Sequence, residues 1–168
     1  KDGCGYDLSY TKTGLERGDY LFLQRFLDVT KSNLFFAKGI IMVEGDAENI
    51  LVPVIAEILG YPLEKYGVSI VNVGSTAFLR YSRIMMRSDG TTVPIPVSII
   101  TDCDVKPYEK DNEEMVFPDK SEEYAEAIKK KMERYDIGTI KSYVSPKWTL
   151  EYCLALSCLG DEFHKAIH

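Results

Sequence analysis

Gly39-Ile-Ile-Met-Val-Glu-Gly-Asp46 is the stretch on which the reading of this chain turns. A short apolar run rich in β-branched residues stops abruptly in carboxylates, as a buried parallel strand does when its C-terminal end opens into a site. Val97-Ser-Ile-Ile-Thr-Asp-Cys-Asp104 repeats the pattern later in the chain. Glu44, Asp102 and Asp104 are therefore the candidate chemistry, and the remaining residues are read as the scaffold that brings them together.

Working outward from the first stretch, residues 46–59 form an amphipathic helix with Ile50, Leu51, Val54, Ile55, Ile58 and Leu59 on one face, ended by Gly60. Pro53 leaves two versions of it open. Either Asp46 caps the helix and Pro53 kinks it, or Asn49 caps a shorter helix with Pro53 in its first turn. A second strand is expected over 68–73, and the Gly74-Ser75 turn leads into a helix to about Arg87. The third strand, 93–101, has Pro94 and Pro96 at its start, which confines that start to an edge or a bulge. Residues 106–120 read as an exposed loop. A surface helix follows over 121–135, capped by Ser121, with Tyr124, Ala127, Ile128 and Met132 facing inward. A fourth strand at 137–144 and a last helix at 148–159 complete the pattern, with a further helical stretch from Phe163 to His168. Ahead of the first strand lie an irregular lead-in, a helix over 15–29 and a shorter one over 30–38 capped by Thr30. The alternation predicts an α/β sandwich with a mostly parallel sheet of about four strands, entered through a helical segment at 1–38. In such sheets ligands sit at the C-terminal strand ends, where the three acids fall.

Composition narrows the function classes. At 168 residues, 45% hydrophobic and 27% charged, the chain can bury a sizeable core and has no apolar run of the roughly 20 residues that span a bilayer. With no signal peptide either, a cytoplasmic, non-membrane protein is expected. The net charge of −6 argues against a general basic field for nucleic acid, yet leaves room for a nucleic-acid enzyme whose acidic site is neutralised by metal. A start at Lys1 and a stop inside a helical stretch suggest a piece of a longer protein. Cys4, Cys103, Cys153 and Cys158 contain no C-x-x-C pair, so reduced thiols are expected rather than zinc or a redox motif.

Two carboxylates one residue apart at a strand end, Asp102 and Asp104, can turn toward one hard cation such as Mg²⁺ or Mn²⁺. Asp is also common in ordinary strand-end turns. Glu44 is harder to assign to structure alone, because an acid directly after Ile-Ile-Met-Val is costly unless it meets a ligand, a cation or water. Asp46 as an N-cap and Glu48 as a partner of the helix dipole have structural readings beside their metal readings. Arg80, Arg83 and Arg87 stand at helical spacing and would meet DNA phosphates or form a solvated face. Lys129, Lys130, Lys131 and Arg134 read as surface. His164 and His168 lack a third zinc ligand.

The Val43-Glu-Gly45 motif with a following helix, and the hydrophobic-Thr-Asp-x-Asp after a later strand, resemble the Toprim domain of topoisomerases, primases and certain nucleases. Phe35-Phe-Ala-Lys-Gly-Ile-Ile-Met-Val-Glu-Gly-Asp46, Val71-Asn-Val-Gly74, Ile100-Thr-Asp-Cys-Asp104 and Trp148-Thr-Leu-Glu-Tyr152 together resemble the OLD (overcoming lysogenization defect) family of ATP-dependent endonucleases, over roughly residues 15–160. The resemblance implies a Toprim/Rossmann-like three-layer sandwich over 39–168 that cleaves DNA with one or two divalent metals. Glu44, Glu48, Asp102 and Asp104 would hold the metals. The family joins an ABC-type ATPase to its nuclease and works as a dimer; this chain has no G-x-x-x-x-G-K-[ST], so it resembles the nuclease part and would not bind ATP. Where members often have an acid after Leu-Glu-Tyr, this chain has Cys153. Outside that family, Asp102-x-Asp104 has the shape of a haloacid-dehalogenase phosphatase motif, and a non-catalytic docking module also stays open.

Ser145-Pro-Lys-Trp-Thr-Leu-Glu151 ends the fourth strand on the same sheet edge as the acids. Lys147 there would offset charge on a scissile phosphate, and Glu151 would take a second metal or orient Lys147; a first-turn salt bridge is the plain structural alternative. The resemblance implies that a lysine before the Leu-Glu pair belongs to the nuclease site. Lys141 is the fallback should the register differ.

Overall fold

The computed structural model describes residues 5–26, 31–74, 77–111 and 114–167. The expected roles of Cys4, Thr30, Ser75 and His168 fall outside the described residues. In chain order the elements are α1 (Arg17–Phe26), a 3-10 turn (Ser32–Phe35), β1 (Gly39–Val43), α2 (Asp46–Ile58), α3 (Leu63–Tyr66), β2 (Val68–Asn72), α4 (Phe78–Ser82), β3 (Val97–Thr101), β4 (Glu109–Asp111), β5 (Glu114–Val116), α5 (Ser121–Tyr135), β6 (Ile140–Val144), α6 (Leu150–Ala155) and α7 (Gly160–Ile167). The central sheet has the order β2-β1-β3-β6, and β1 lies parallel to both β2 and β3. This is the expected α/β architecture with a parallel four-stranded sheet. The chain forms two compact units, Lys1–Ile99 with Tyr135–Lys141, and Ile100–Arg134 with Ser142–His168, each described by itself below. Among the described residues no helix is long and apolar enough to cross a membrane.

In the first unit β1 is flanked by strands on both sides, which is why it tolerates no charge. Ile40, Met42 and Val43 are all but fully buried, and Gly39↔Val68 to Val43↔Asn72 sets its register with β2. The two prolines shorten the third strand from the expected 93–101 to Val97–Thr101. Pro96 has no N–H for a ladder, yet its carbonyl accepts the Ile40 amide at 2.9 Å, so it meets β1 as an acceptor only. Leu34, Phe78, Tyr81, Ile99 and Ile140 complete the core, with edge-to-face pairs Phe22–Tyr81 and Phe78–Tyr135 at 5.8 and 5.7 Å.

Three local expectations in this unit are corrected. Helix α2 is continuous from Asp46 through Pro53, with Gly45 at its N-cap, so neither Asp46 nor Asn49 caps it. Its apolar face is not buried: Ile50, Val54, Ile55, Ile58 and Leu59 are exposed, and the buried residue of this helix is Glu48. Helix α4 ends at Ser82, because Met85 to Arg87 turn back through a bridge between Met86 and Thr92, and so never reaches Arg87 as a helix.

In the second unit the segment read as a loop contains an antiparallel hairpin of β4 and β5, paired Glu109↔Val116 and Asp111↔Glu114. Its residues are exposed and mostly charged, so it carries no hydrophobic alternation that a sequence pattern could register. Ser121 is the first residue of α5 rather than its cap, and Asp119 Oδ1 ahead of the helix accepts both the Ser121 amide at 3.0 Å and the Ser121 hydroxyl at 2.6 Å. These bonds hold its carboxyl below the usual range. Along α5 the inward stripe runs Tyr124, Ala127, Ile128, Lys131, whereas Met132 is exposed. The helix expected over 148–159 is shorter, ending at Ala155, and the further helical stretch expected from Phe163 begins earlier, at Gly160, after the Ser157–Leu159 turn.

Gly138, at φ +55°, leads into β6 in the first unit, and a Cβ there would lie 2.7 Å from Thr92 Cγ2 and 2.8 Å from its Oγ1. Thr92 is itself tied to Thr139 by a 3.2 Å hydroxyl contact. Gly138→Ala is expected to cost about 1–3 kcal/mol through the left-handed backbone and the clash together. Urea denaturation of the two proteins checks this.

Candidate functional site

The first group of acids lies where β1 runs into α2. Glu44 is half-buried directly after the last strand residue, and Gly45 is extended at φ −143° before the helix begins. Asp46 Oδ1 accepts the Asn72 amide nitrogen at 2.7 Å, and Asn72 Oδ1 in turn accepts the Gly74 amide at 2.8 Å. Asn72 closes β2, so its two-sided bonding links the ends of neighbouring strands. Glu48, one turn into the helix, is only 6% exposed and has no hydrogen bond or ion pair among the described residues. A Cβ on residue 45 would lie 3.3 Å from its Oε2. Glycine at 45 thus leaves room beside the Glu48 carboxylate.

The second group follows β3. Asp102 is half-buried and its Oδ1 accepts the Leu150 amide at 2.8 Å, at the first residue of α6. The Cys103 amide donates to Ser145 Oγ at 2.8 Å, and that hydroxyl donates to the Lys147 carbonyl at 2.7 Å. The Asp104 amide donates to the Trp148 carbonyl at 2.9 Å. Three consecutive residues are therefore each tied to the 145–150 segment. Asp104 adopts φ +67°, the one non-glycine residue in the left-handed region among those described. Such a conformation persists where the surroundings over-determine it, and it occurs often at functional sites. Burial pushes the Cys103 thiol, between the two acids, above its ordinary range.

Sequence reasoning missed Lys131. Its side chain is 18% exposed, and Nζ reaches Asp104 Oδ2 at 2.5 Å, the Asp102 carbonyl at 2.5 Å and Thr101 Oγ1 at 3.4 Å. The signal was available. Tyr124, Ile128 and Lys131 fall at i, i+4 and i+7, which puts Lys131 on the inward stripe and away from the solvent face of Lys129 and Lys130. Those two pair outward with Glu133 and Glu126.

Lys147 is exposed, and its ammonium has no ion pair among the described residues. Its carbonyl accepts from the Ser145 hydroxyl and, at 3.7 Å, from Cys153 Sγ, so its backbone is held while its side chain is not. Glu151 is exposed in the first turn of α6, and Thr149 caps that helix by accepting the Tyr152 amide at 3.2 Å. The salt bridge offered as the plain alternative for Lys147 and Glu151 is not formed among the described residues. Lys141, the fallback, pairs with Asp136 at 3.5 Å in the first unit.

The three arginines read as DNA contacts are not arrayed on one helix face. Arg83 pairs with Asp19 at 2.8 Å and Glu16 at 3.2 Å, and the bond to Asp19 raises its already high pKa. Arg80 lies 3.7 Å from Asp19 and stacks 4.5 Å over the Phe22 ring. Arg87 donates to the Asp7 carbonyl at 2.6 Å and lies over Tyr6. Asp19 is 4% exposed and also accepts the Glu16 amide at 3.0 Å, so Arg83 neutralises a buried carboxylate at the start of α1. These partners tie the three arginines to other residues of the first unit.

Among the described residues no three acidic, histidine or cysteine side chains gather into a metal-binding group. The fit to a divalent cation rests on donor chemistry. Glu44 and Glu48 in the first unit, and separately Asp102 and Asp104 in the second, offer hard oxygen, and Gly45 keeps the space beside Glu48 clear.

Residues 35–104 match the family described as overcoming lysogenization defect protein-like, TOPRIM domain. The matched span covers both acidic motifs. The fold is similar to the C-terminal region of the Xanthomonas campestris pv. campestris OLD protein, at 27% identity over 80% of this chain and 62% of that one, with a TM-score of 0.52. It is similar also to the C-terminal region of the Burkholderia pseudomallei OLD protein, at 29% identity over 79% of this chain and 66% of that one, with a TM-score of 0.55. The chain thus spans somewhat under two thirds of the length of these structures. A comparison with curated proteins gave no match. The resemblance read from the sequence motifs is the one that both matching comparisons return.

Arg83→Ala would leave the buried Asp19 carboxylate without its closest cation. The expected loss is about 1–3 kcal/mol, the scale of a buried charged group that loses its partner. A lowered melting temperature with unchanged DNA affinity would assign Arg83 to the scaffold, and the reverse result would return it to the DNA-contacting set.

Proposed function

We propose that this chain, whose residues 35–104 carry the OLD-like TOPRIM match, is the nuclease part of a divalent-metal-dependent DNA endonuclease. One observation carries the reading. The matched span holds two parallel strands, β1 and β3, and each leads directly into acids, Glu44 in one case and Asp102 with Asp104 in the other. TOPRIM domains bind divalent metals, and the donors here are all hard oxygens suited to Mg²⁺ or Mn²⁺. Glu44, Glu48, Asp102 and Asp104 would hold the ion or ions, with Glu151 as a further ligand.

When bound, such cations would lower the pKa of the attacking water and stabilise the leaving oxygen. This chain's own residues supply the rest. Asp102 is oriented before any cation arrives, since the Leu150 amide fixes one of its carboxylate oxygens. Lys147 has a backbone held by Ser145 and a side chain free to move, which suits an ammonium that meets the scissile phosphate and offsets charge developing on its oxygens. Gly45 keeps bulk away from Glu48. DNA as substrate, a homodimer through the longer protein and a cytoplasmic setting belong to the same proposal.

Replacing Asp102 by Asn keeps the acceptor for the Leu150 amide but removes the charge. Mn²⁺-dependent nicking of supercoiled plasmid is expected to fall at least a hundredfold, with the melting temperature nearly unchanged; the estimate of about 10²-fold is the scale of losing one charge-stabilising group. Wild-type nicking by this variant, or aspartyl-phosphate trapped on Asp102, would overturn the reading. Lys147→Ala is expected to slow cleavage by a similar factor of about 10² while Mn²⁺ binding, followed by calorimetry, stays intact. Loss of Mn²⁺ binding in that variant would instead make Lys147 a structural residue.

A further inference from the structure

We propose that Lys131 is a built-in cation of the second acidic motif, and that a divalent metal reaches Asp104 Oδ2 only by exchange with its ammonium. The inference rests on the metal-binding reading above and goes beyond it, since it concerns what occupies Asp104 before metal arrives.

The geometry is that of a seated cation. A lysine ammonium has three donors, and three oxygens surround this one: Asp104 Oδ2, the Asp102 carbonyl and Thr101 Oγ1. Two of these oxygens belong to the acidic motif itself and the third to the strand end before it. All three are hard oxygens, a set that a divalent ion of this class would also select. The Lys131 side chain is 18% exposed although neighbouring Lys129 and Lys130 are 76% and 70% exposed, so helix α5 carries this ammonium inward while its neighbours stay in solvent. Asp104 is held in the left-handed conformation, with its amide bonded to the Trp148 carbonyl, which directs its carboxylate to Lys131. Two cations cannot share Asp104 Oδ2 at hydrogen-bond and coordination distance without strong repulsion. Metal coordination by that oxygen therefore requires Lys131 to leave, and Lys131 weakens apparent metal affinity while shielding the acidic turn in the metal-free protein.

The test is Mn²⁺ binding to the chain at fixed pH and ionic strength, by calorimetry and by quenching of Trp148, the one tryptophan in the chain. Lys131→Met, and Lys131→Gln as a second neutral variant should the first fold poorly, are expected to bind Mn²⁺ about three- to tenfold more tightly, the range open to one partly exposed charge pair. Lys131→Arg, which keeps the cation, is expected to stay near wild type. In an Asp104→Asn background the Lys131→Met change is expected to have no effect on Mn²⁺ affinity, since the competition is for that carboxylate. Unchanged or weaker Mn²⁺ binding in both neutral variants would overturn the exchange, as would an equal gain with and without Asp104. Wild-type protein that binds no Mn²⁺ would overturn the metal-binding reading beneath it, which separates the two failures.

Discussion

The Asp102 carboxylate accepts the Leu150 amide, the Cys103 amide donates to the Ser145 hydroxyl, and the Asp104 amide donates to the Trp148 carbonyl. These three bonds, from three consecutive residues to one short segment, are what the candidate chemistry of the second unit depends on. A loop after a strand would ordinarily bond to water and move. Here two backbone donors and one carboxylate are satisfied inside the protein, so the acids hold a defined direction and Asp104 holds a backbone conformation that would otherwise be disfavoured. The same segment presents Lys147, whose backbone is pinned by Ser145 while its side chain is exposed.

The first unit meets a related problem by another route. A strand buried between two neighbours has no place for charge until it ends, so Glu44 appears at the first position after Val43. Beyond it the chain has to turn into a helix within one residue, and Gly45 allows this while leaving room for Glu48. Asn72 joins the ends of β1 and β2 by bonding Asp46 on one side and Gly74 on the other. The arginines that follow β2 serve the scaffold of this unit. Asp19 is buried at the start of α1, and Arg83 and Arg80 converge on it from the segment after β2. Burying one carboxylate commits the guanidinium that neutralises it, which removes that arginine from the exposed surface.

Helix α2 departs from the usual amphipathic logic. Its large aliphatic side chains are exposed and its buried residue is an acid. The pattern shows that period alone identifies a helix and one of its faces without saying what, if anything, covers that face.

Much of this protein was legible in its residues. Apolar runs ending in acids located β1 and β3, and the alternation of elements gave a parallel α/β sheet, because strand and helix periods and the cost of burying charge are local properties. The third strand was read from Val93 but starts only after Pro96, while the family resemblance carried by the acidic motifs was the one that the comparisons return. Other features depended on partners distant in sequence. Nothing near Lys131 reveals that Thr101, Asp102 and Asp104 surround its ammonium, nor does anything near Arg83 reveal the buried Asp19 that takes it up. Likewise the bonding of Asp119 to Ser121 ahead of α5 and the short exposed pair of β4 and β5 left no hydrophobic period to read. Sequence by itself determined which residues bear charge and where strands must end; which charge neutralises which was decided only by tertiary structure, because an ion pair is set by distance in space and the residues that make it lie tens of positions apart in the chain.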